Sequence, residues 1–332
     1  MSNEVELKLR INKSDIPSLK RQLASIAATR NDVQINAPVT HKTLSIYYDT
    51  PYLSLFDHAL SLRLRYAARK WTQTIKDAGS ALSGLHQRLE LEWDVKDGKL
   101  DFSKITDAAY VDFFNNASLR NALVPLFSTD IRRTTWHLSY ENSDQIELVL
   151  DIGELIADTH REPICEIELE LKHGNKGRLF ELALQLQAHF PLTIENISKA
   201  QRAYAYYRSQ PPTVLKAEPI KLRSKDSAND TLKRIVQACL IQLQGNQDMV
   251  LHGHDIEGVH QMRVALRRLR SALKLFNQIL HQQIAENILQ DLIWITNTLG
   301  TARDIDVFIS QTLPPIMAQM PNQSSLVLLM LM

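Results

Sequence analysis

The chain has 332 residues, which exceeds the usual size of one domain and favours two. With 44% hydrophobic and 23% charged residues, its composition is that of an ordinary soluble globular protein. A net charge of +1 excludes the overall basicity typical of nucleic-acid-binding proteins, so no nucleic acid partner is expected and any anion site must come from local clustering of bases.

Charged and apolar residues alternate without interruption over residues 3–11. This period of two predicts a strand with one polar and one apolar face. The polar face carries Glu4, Glu6, Lys8 and Arg10. Acids beside bases suit a site that holds a metal ion and an anion together. On this strand alone, however, a solvated outer face of a sheet is the favoured interpretation, because it has the same pattern.

A helix is predicted over residues 13–28, and strand patterns then dominate as far as residue 171. The predicted strands lie at residues 43–49, 59–66, 71–76, 88–95, 132–140, 145–152 and 163–171, and a more helical stretch lies near residues 107–126. Many alternating strands without a helix after each one predict an antiparallel sheet or barrel rather than a parallel sheet.

The charged residues of these strands are segregated by sign. Glu166, Glu168 and Glu170 follow one strand, whereas bases occupy the polar faces of others: Arg63, Arg65, Lys76, Arg88 and Arg133. Arginine binds phosphate oxygens with its planar fork. A closed sheet of about eight strands encloses one small ligand. Because buried charges need partners, the pattern predicts a polyanion bound with a divalent cation.

Eight short charged motifs occur in order along residues 1–207. They are Glu4-x-Glu6-x-Lys8, Arg63-x-Arg65, Thr74-Ile75-Lys76, Arg88-x-Glu90, Arg133, Asp151-Ile152-Gly153-Glu154, Glu166-Ile167-Glu168 and Ser198-Lys199. In this order they resemble the CYTH superfamily of triphosphate tunnel metalloenzymes. The strings GLHQR, PLFSTD and PICEIELEL resemble its bacterial inorganic triphosphatase branch. The resemblance implies an α+β domain with an eight-stranded antiparallel β tunnel that acts on triphosphates with Mg²⁺ or Mn²⁺.

The resemblance also implies roles for individual residues. Glu4, Glu6, Glu166 and Glu168 would hold one or two divalent cations through carboxylate oxygens. The triphosphate would be bound by Lys8, Arg63, Arg65, Lys76, Arg133 and Lys199. Asp151 or one of the glutamates would hold a second metal or orient the attacking water, and the sequence does not choose between them. A direct role and an ion-pairing role are equally open for Arg88, Glu90, Glu92, Glu170 and Arg202.

These roles predict metal-dependent hydrolysis of inorganic triphosphate to diphosphate and phosphate. Thiamine triphosphate hydrolysis and class IV adenylyl cyclase activity stay open, because the ends of such a tunnel decide what else fits. Four aromatic residues could equally line the end of the tunnel or pack in the core: Tyr47, Tyr48, Phe56 and Trp71. A further alternative is an inert tunnel in a protein that only binds polyphosphate.

Composition changes after Tyr207. Residues 208–229 contain three prolines and no clear period, which indicates a linker, and residues 230–332 are helical in pattern. Helices are predicted at residues 230–244 and 255–276. Beside the apolar stripe of the second helix runs a basic stripe of His260, Arg263, Arg267, Arg270 and Lys274. From residue 261 to residue 290 the only acid is Glu286, so this stripe suits an extended anion rather than a mixed solvated face.

The strings VHQMRVALRRLR (residues 259–270) and LGTARDIDV (residues 299–307) resemble CHAD domains. The resemblance implies an all-helical module that binds long-chain polyphosphate. The contacting residues would be His260, Arg263, Arg267, Arg270, Lys274 and Arg303. Such domains usually have two helical-bundle halves and this chain holds about one, so we expect a truncated domain that is poorly packed or completed by a partner. Its apolar tail, residues 323–332, would favour self-association.

Three features bear on location. Cys165 and Cys239 form no metal or disulfide framework, which favours a reducing cytoplasm. The start of the chain carries Glu4 and Glu6 where a signal peptide would have a basic and then an apolar run. The apolar run at residues 326–332 is too short to span a bilayer, so no membrane partner is expected. The sequence leaves the oligomeric state and the preferred metal open.

Overall fold

The computed structural model describes residues 2–208, 213–251, 255–280 and 282–319. The chain divides into two compact units, Met1–Gln210 and Pro211–Met332. The strands of the first unit are β1 (Ser2–Ile11), β2 (Val33–Ile35), β3 (Val39–Asp49), β4 (Leu60–Ala67), β5 (Lys70–Asp77), β6 (Ser80–Leu82), β7 (Leu85–Val95), β8 (Val124–Tyr140), β9 (Gln145–Ala157), β10 (His160–His173) and β11 (Leu192–Ile194). Its helices are α1 (Ile16–Thr29), α2 (Ser54–Asp57), α3 (Val111–Asn115), α4 (Ala117–Ala122), α5 (Gly177–Gln187) and α6 (Lys199–Arg208).

Eight strands of the first unit close into an antiparallel barrel. They follow the order β1-β10-β9-β8-β3-β4-β5-β7, and β7 pairs back onto β1 to complete the ring. The short strands β2, β6 and β11 pair onto β8, β7 and β1. Closure leaves the eight main strands without open edges. The predicted eight-stranded antiparallel tunnel is therefore confirmed.

The alternation in β1 separates a charged interior from an apolar exterior. Val5, Leu7 and Leu9 belong to a core that lies outside the barrel, where α1 and α5 cover it. Full burial of each such side chain contributes about 1.5–3 kcal/mol. Glu6 and Lys8 face the interior and are each only 3% exposed. Both faces of β1 are thus buried, which excludes the solvated-face interpretation of this strand.

Helix α6 packs against an apolar part of the barrel interior. Phe127 and Ile131 lie on the same face of β8 as Arg133, yet they pack with Tyr204 and Ala203 of α6. The interior rows therefore change from charged to apolar along the strands. Because Lys199 opens this helix, the packing of α6 fixes where the Lys199 side chain enters the barrel.

Several predicted boundaries were wrong, and the start of β8 differs most: the strand predicted at residues 132–140 begins at Val124. The helical stretch near residues 107–126 contains α3 and α4, but β8 already begins at Val124. Pro125 interrupts a strand pattern because it has no backbone N–H to donate. The structure accommodates Pro125 opposite Tyr48, beside a register shift between Tyr47 and Tyr48.

Five α-helices make up most of the described residues of the second unit. They are α7 (Ala228–Gly245), α8 (Gln247–Leu251), α9 (Ile256–Leu275), α10 (Gln282–Val307) and α11 (Leu313–Gln319). A capping box at Ser227 starts α7 and Asp255 caps α9, which confirms the two predicted helices. Their core contains Cys239, Leu266, Leu269, Leu273 and Leu292. Within the predicted linker, 208–229, residues 213–227 contain neither helix nor strand, whereas Arg208 ends α6 and residues 228–229 begin α7.

None of the helices among the described residues combines the length and the apolar character that a membrane crossing requires. The apolar tail at residues 323–332, to which the expectation of self-association refers, lies outside the described residues.

Gly153 of β9 shows how closely the barrel strands approach. A Cβ atom at this position would lie 2.0 Å from the Asp130 carbonyl oxygen and 2.7 Å from the Ile131 Cα atom. Because the obstructing atoms belong to the backbone, we expect Gly153→Ala to lower the free energy of unfolding by about 2–3 kcal/mol in urea titrations. Gly177→Ala in α5 is the matched control, since a Cβ atom there meets only the Asn175 side chain, at 3.3 Å. It should leave stability unchanged or raise it by about 0.5 kcal/mol, and equal losses in the two variants would contradict the prediction.

Candidate active site

The barrel interior contains a cavity of about 340 Å³ with a highly charged lining. The charged residues that line it are Glu4, Glu6, Lys8, Arg63, Arg65, Lys76, Arg88, Glu90, Glu92, Arg133, Glu147, Glu168, Glu170, Lys172 and Lys199. Of the residues predicted for the site, Asp151, Glu166 and Arg202 lie behind this lining and contact residues of the site through ion pairs. The structure therefore brings the predicted residues of the first unit into one region.

Strand pairing places opposite charges side by side. The register of β1 with β10 aligns Lys8 with Glu168, and that of β8 with β9 aligns Arg133 with Asp151. Side chains in directly opposed positions are about 5 Å apart at Cβ. Lys8 Nζ accordingly lies 2.5 Å from Glu168 Oε1, and Arg133 donates to both oxygens of Asp151 at 2.8 and 2.7 Å.

Three buried carboxylates form an acid cluster: Asp151, Glu166 and Glu168. One oxygen atom from each lies within 4.8 Å of the others. Lys199 Nζ lies 2.8 Å from Asp151 and 2.9 Å from Glu168, and it also contacts Glu166. Burial alone would raise the pKa of Asp151, but the Arg133 and Lys199 charges lower it to about 2. Three carboxylates at this spacing, already gathered around one cationic group, fit a hard divalent cation.

Glu4 and Glu6, which the resemblance assigns to metal binding, lie outside this acid cluster. Glu4 accepts hydrogen bonds from Lys76 Nζ at 2.8 Å and from Arg88 Nε at 2.7 Å. Burial alone would raise the pKa of Glu4, but Lys76 and Arg88 lower it far below its ordinary value. Glu6 contacts Arg88 as well, and its Oε1 lies 3.1 Å from Lys8 Nζ. In this structure the two glutamates hold bases of the cavity wall in place.

Arg65 is half-buried and has no acid partner among the described residues. No described carboxylate lies within 4.0 Å of its guanidinium, and its hydrogen bond is from Nε to Ser45 Oγ at 3.3 Å. Burial and the neighbouring Arg63 and Arg133 charges lower its pKa to about 10, so Arg65 is cationic at neutral pH. A partly desolvated cation that faces other cations is costly unless an anion joins them. The cavity wall at Arg65 is therefore suited to an anion.

Family models match both units of the chain. The CYTH domain model matches residues 2–204 and the CHAD domain model matches residues 234–328. The chain belongs to the CYTH family. The CYTH match covers all the charged positions of the cavity, whereas the CHAD match covers the basic stripe of α9 and all of α10.

Relatives of the CYTH barrel include an inorganic triphosphatase from Haemophilus influenzae, which is 32% identical over 208 residues. The alignment covers 61% of this chain, and the chain spans about half the length of that relative, 55%. Two solved structures are similar at lower identity. A candidate adenylyl cyclase from Hippeastrum with a dominant triphosphatase activity has 20% identity and a TM-score of 0.44, over 62% of this chain and 95% of its own. The inorganic triphosphatase NE1496 has 14% identity and a TM-score of 0.23, over 62% and 95%. At these TM-scores neither structure carries a functional argument.

Tyr47 both lines the CYTH cavity and belongs to the core, where its ring stacks on Phe127 with centroids 4.8 Å apart. Burial alone would raise the pKa of its phenol, but Arg63, Arg65 and Lys199 lower it below the ordinary value. Tyr47 is therefore a residue of the cavity wall and of the core at the same time, although the sequence alone left these as alternatives. Phe56 likewise packs against Tyr204 and lines a second cavity of about 250 Å³, which shares Lys76 and Arg88 with the main one. By contrast, Tyr48 packs in the apolar cluster under α3 and α4.

Sequence reasoning missed Glu147 and Lys172, which also line the cavity. The available signal was their spacing, since Glu147 is four residues from Asp151 on β9 and Lys172 is four residues from Glu168 on β10. Arg202 has an ion-pairing role, because its guanidinium lies 2.9 Å from Glu166 and 3.1 Å from Glu162.

His86 of β7 is a buried histidine beside the cavity, and its Nε2 donates to the Glu195 carbonyl oxygen at 2.9 Å. Burial and the Lys8 charge lower the pKa of His86 from an ordinary 6.5 to about 4. Between these values the unfolded chain binds a proton that the folded chain does not, so stability is present above pH 6.5 and is lost as the pH falls towards 4. We expect the free energy of unfolding to fall by about 2 kcal/mol more between pH 7 and pH 5 in the native chain than in His86→Gln.

Urea titrations at the two pH values measure this difference. The carboxylates of Glu4 and Asp151 titrate below their ordinary pKa values, so their effect lies below this window and is shared by both proteins. Identical pH profiles for the native chain and His86→Gln would contradict the prediction.

The basic stripe of the CHAD-matched helices is only partly exposed. On α9, Arg267 and Lys274 are exposed, whereas Arg263 is half-buried and its Nη1 donates to the Thr296 carbonyl oxygen of α10 at 2.8 Å. His260, Arg270 and Arg303 are half-buried as well. The hydrogen bond from Arg263 to Thr296 joins α9 to α10, so Arg263 contributes to helix packing whether or not it contacts an anion.

Proposed function

We propose that the barrel hydrolyses inorganic triphosphate to diphosphate and phosphate with Mg²⁺ or Mn²⁺. One observation carries the proposal. The acid cluster and the guanidinium of Arg65, which has no described carboxylate within 4.0 Å, lie in the same closed barrel interior. A metal site next to an anion site is what a metal-bound polyphosphate requires. The relative from Haemophilus influenzae, which bears the name inorganic triphosphatase, supports the same substrate.

The anion would lie among six bases that enter the cavity from several elements: Lys8, Arg63, Arg65, Lys76, Arg133 and Lys199. Arg63 is positioned by a hydrogen bond to Thr74 Oγ1 at 3.1 Å, and one oxygen of Glu90 lies 3.6 Å away. Fixed guanidinium and ammonium groups stabilise charge that develops on the leaving diphosphate without reorganising at the moment of reaction. The closed barrel also limits competing water.

Asp151, Glu166 and Glu168 would hold the divalent cation. When bound, the cation would neutralise phosphate oxygens and activate a water molecule. Asp151 is fully buried, accepts two hydrogen bonds from Arg133 and contacts Lys199. These contacts suit Asp151 to orienting the acid cluster and leave it no open face for a water molecule. Arg202 Nη2 donates a hydrogen bond to Glu166 Oε2 at 2.9 Å, which is the oxygen that Lys199 does not contact.

The test is phosphate release from inorganic triphosphate, ATP, thiamine triphosphate and long-chain polyphosphate, each with Mg²⁺, Mn²⁺ or a chelator. We expect metal-dependent turnover that is fastest with inorganic triphosphate. Faster release from thiamine triphosphate would assign the organic substrate instead. Formation of cyclic AMP and diphosphate from ATP, without free phosphate, would assign the cyclase reaction. Absence of turnover with all four substrates would overturn the proposal.

For the CHAD-matched helices we propose binding of long-chain polyphosphate along α9, and for the whole chain a cytoplasmic location. The exposed side chains of Arg267 and Lys274 support the first, because they lie on one face at a helical spacing of seven residues. The two free cysteines agree with the second. Polyphosphate binding that weakens with salt and falls in Arg267→Ala, but not in the exposed-site control Arg132→Ala of the barrel, would support the helical site.

A further inference from the structure

Lys199 occupies the position among the three carboxylates that a divalent cation would need. Its ammonium contacts one oxygen of each: Asp151 Oδ2, Glu166 Oε1 and Glu168 Oε1. Two of these oxygens, those of Glu166 and Glu168, belong to residues predicted to bind metal. A cation held by the acid cluster and an ammonium in the same contacts would repel each other at a separation of a few ångströms.

The other bases around the acid cluster do not share this arrangement. Lys8 contacts Glu168 alone among the three carboxylates, and Arg133 contacts Asp151 and Glu168. Arg202 contacts Glu166 Oε2, the oxygen that Lys199 does not contact. Lys8 shares Glu168 Oε1 with Lys199, and Arg133 shares Asp151 Oδ2, but neither of these bases contacts all three carboxylates. Among the described bases only Lys199 contacts all three, so it is the base that a bound cation would have to displace.

The Lys199 side chain can move away from the acid cluster into the adjoining cavity. It is the first residue of α6 and its side chain lines the same cavity as Arg65 and Lys8. A flexible four-carbon stem carries the ammonium, so its position can change while α6 stays packed through Ala203 and Tyr204. An anion in the cavity provides the alternative partner.

We propose that Lys199 is an internal competitor of the divalent cation, which neutralises the acid cluster in the metal-free protein and moves to the triphosphate when metal binds. This inference rests on the proposed function in taking the acid cluster as the metal site and the cavity as the triphosphate site, whereas the competition itself is measured without any phosphate. It implies that metal binds weakly to the protein alone, because each binding event must break three ion pairs. It also implies that anion and metal support each other's binding, and such coupling is reciprocal.

The experiment measures Mn²⁺ affinity in the absence of any phosphate, by calorimetry and by the EPR signal of free Mn²⁺. Lys199→Met should bind Mn²⁺ at least about tenfold more tightly than the native chain, within the usual range of coupling between two sites. Lys76→Met is the matched control: it removes an ammonium from the same cavity, but one that contacts Glu4 and Glu90 instead of the acid cluster. We expect its Mn²⁺ affinity to stay within about threefold of the native value, because its ion pairs lie elsewhere.

Equal Mn²⁺ affinity in the native chain and Lys199→Met would overturn the inference, as would equal gains in Lys199→Met and Lys76→Met. If Lys199→Met does not fold, Lys199→Arg keeps the charge and adds donors for the same oxygens. That variant should bind Mn²⁺ more weakly than the native chain, and tighter binding would contradict the inference. Since hydrolysis does not enter the measurement, a chain without triphosphatase activity can still show the competition, and an active chain can still fail to show it.

Discussion

Glu168→Gln should reduce metal-dependent triphosphate hydrolysis by about a thousandfold, because the change removes a buried charge around which three cations are arranged. Lys8 and Lys199 contact one oxygen of Glu168, and Arg133 donates to the other at 2.9 Å. Burial alone would raise the pKa of Glu168, but these cations lower it well below its ordinary value, so the native residue is ionised at neutral pH. Glutamine keeps the size of the side chain and loses the negative charge that both the cations and a metal ion require.

Glu170→Gln is the matched control for this prediction. Glu170 lies on the same strand and the same cavity face, but its ion pair is with Lys172 at 2.7 Å and it does not belong to the acid cluster. Steady-state phosphate release at saturating Mn²⁺ compares the two, and circular dichroism checks that both are folded. We expect less than about a tenfold loss in Glu170→Gln, as for a residue that acts through a neighbour. If Glu168→Gln lost no more phosphate release than Glu170→Gln, a direct role of Glu168 in metal binding or catalysis would be excluded.

The fold was predictable where the alternation was long. β1 and β10 carry long alternating patterns, and this alternation alone assigns their two faces correctly. The strands β2, β6 and β11 have three residues each, which is too few to show a period. Helix α6 was not predicted because alanine and tyrosine contribute to its buried stripe and give little amphipathic contrast.

The site was predictable as a set of residue types, but its pairings were not. Whether acids on β1 meet acids on β10 depends on register, and a shift of one residue changes every opposed pair. The actual register aligns Lys8 with Glu168 and Glu6 with Glu170, so a base separates Glu6 from the acid cluster. The contact of Lys199 with Asp151 likewise depends on how α6 packs, which no local pattern encodes.

Arg65→Met should weaken inorganic triphosphate binding at least about a hundredfold, because two charge-assisted hydrogen bonds to a phosphate contribute about 1.5–3 kcal/mol each. The guanidinium has Ser45 as its hydrogen-bond partner and no described carboxylate within 4.0 Å, so its remaining donors are available to an anion. The measurement is KM for triphosphate at saturating metal, together with direct binding in the presence of a chelator. Arg65→Lys, which keeps the charge without the planar fork, should fall between the native chain and Arg65→Met.

The same substitution should raise the free energy of unfolding by about 1–2 kcal/mol, since replacing a half-buried, poorly compensated charge by an apolar side chain relieves its desolvation and its repulsion from neighbouring cations. Burial and the charges of Arg63 and Arg133 together lower the pKa of Arg65, which shows that its surroundings disfavour the cation. Arg132→Met is the matched control, because Arg132 is exposed on the opposite face of β8 from Arg133 and should change neither stability nor KM. Weaker triphosphate binding together with a higher free energy of unfolding would show that Arg65 serves ligand binding and not the stability of the fold. A variant that loses stability along with binding would show that Arg65 has a structural role, and the anion site would then have to lie among the bases that already have acid partners.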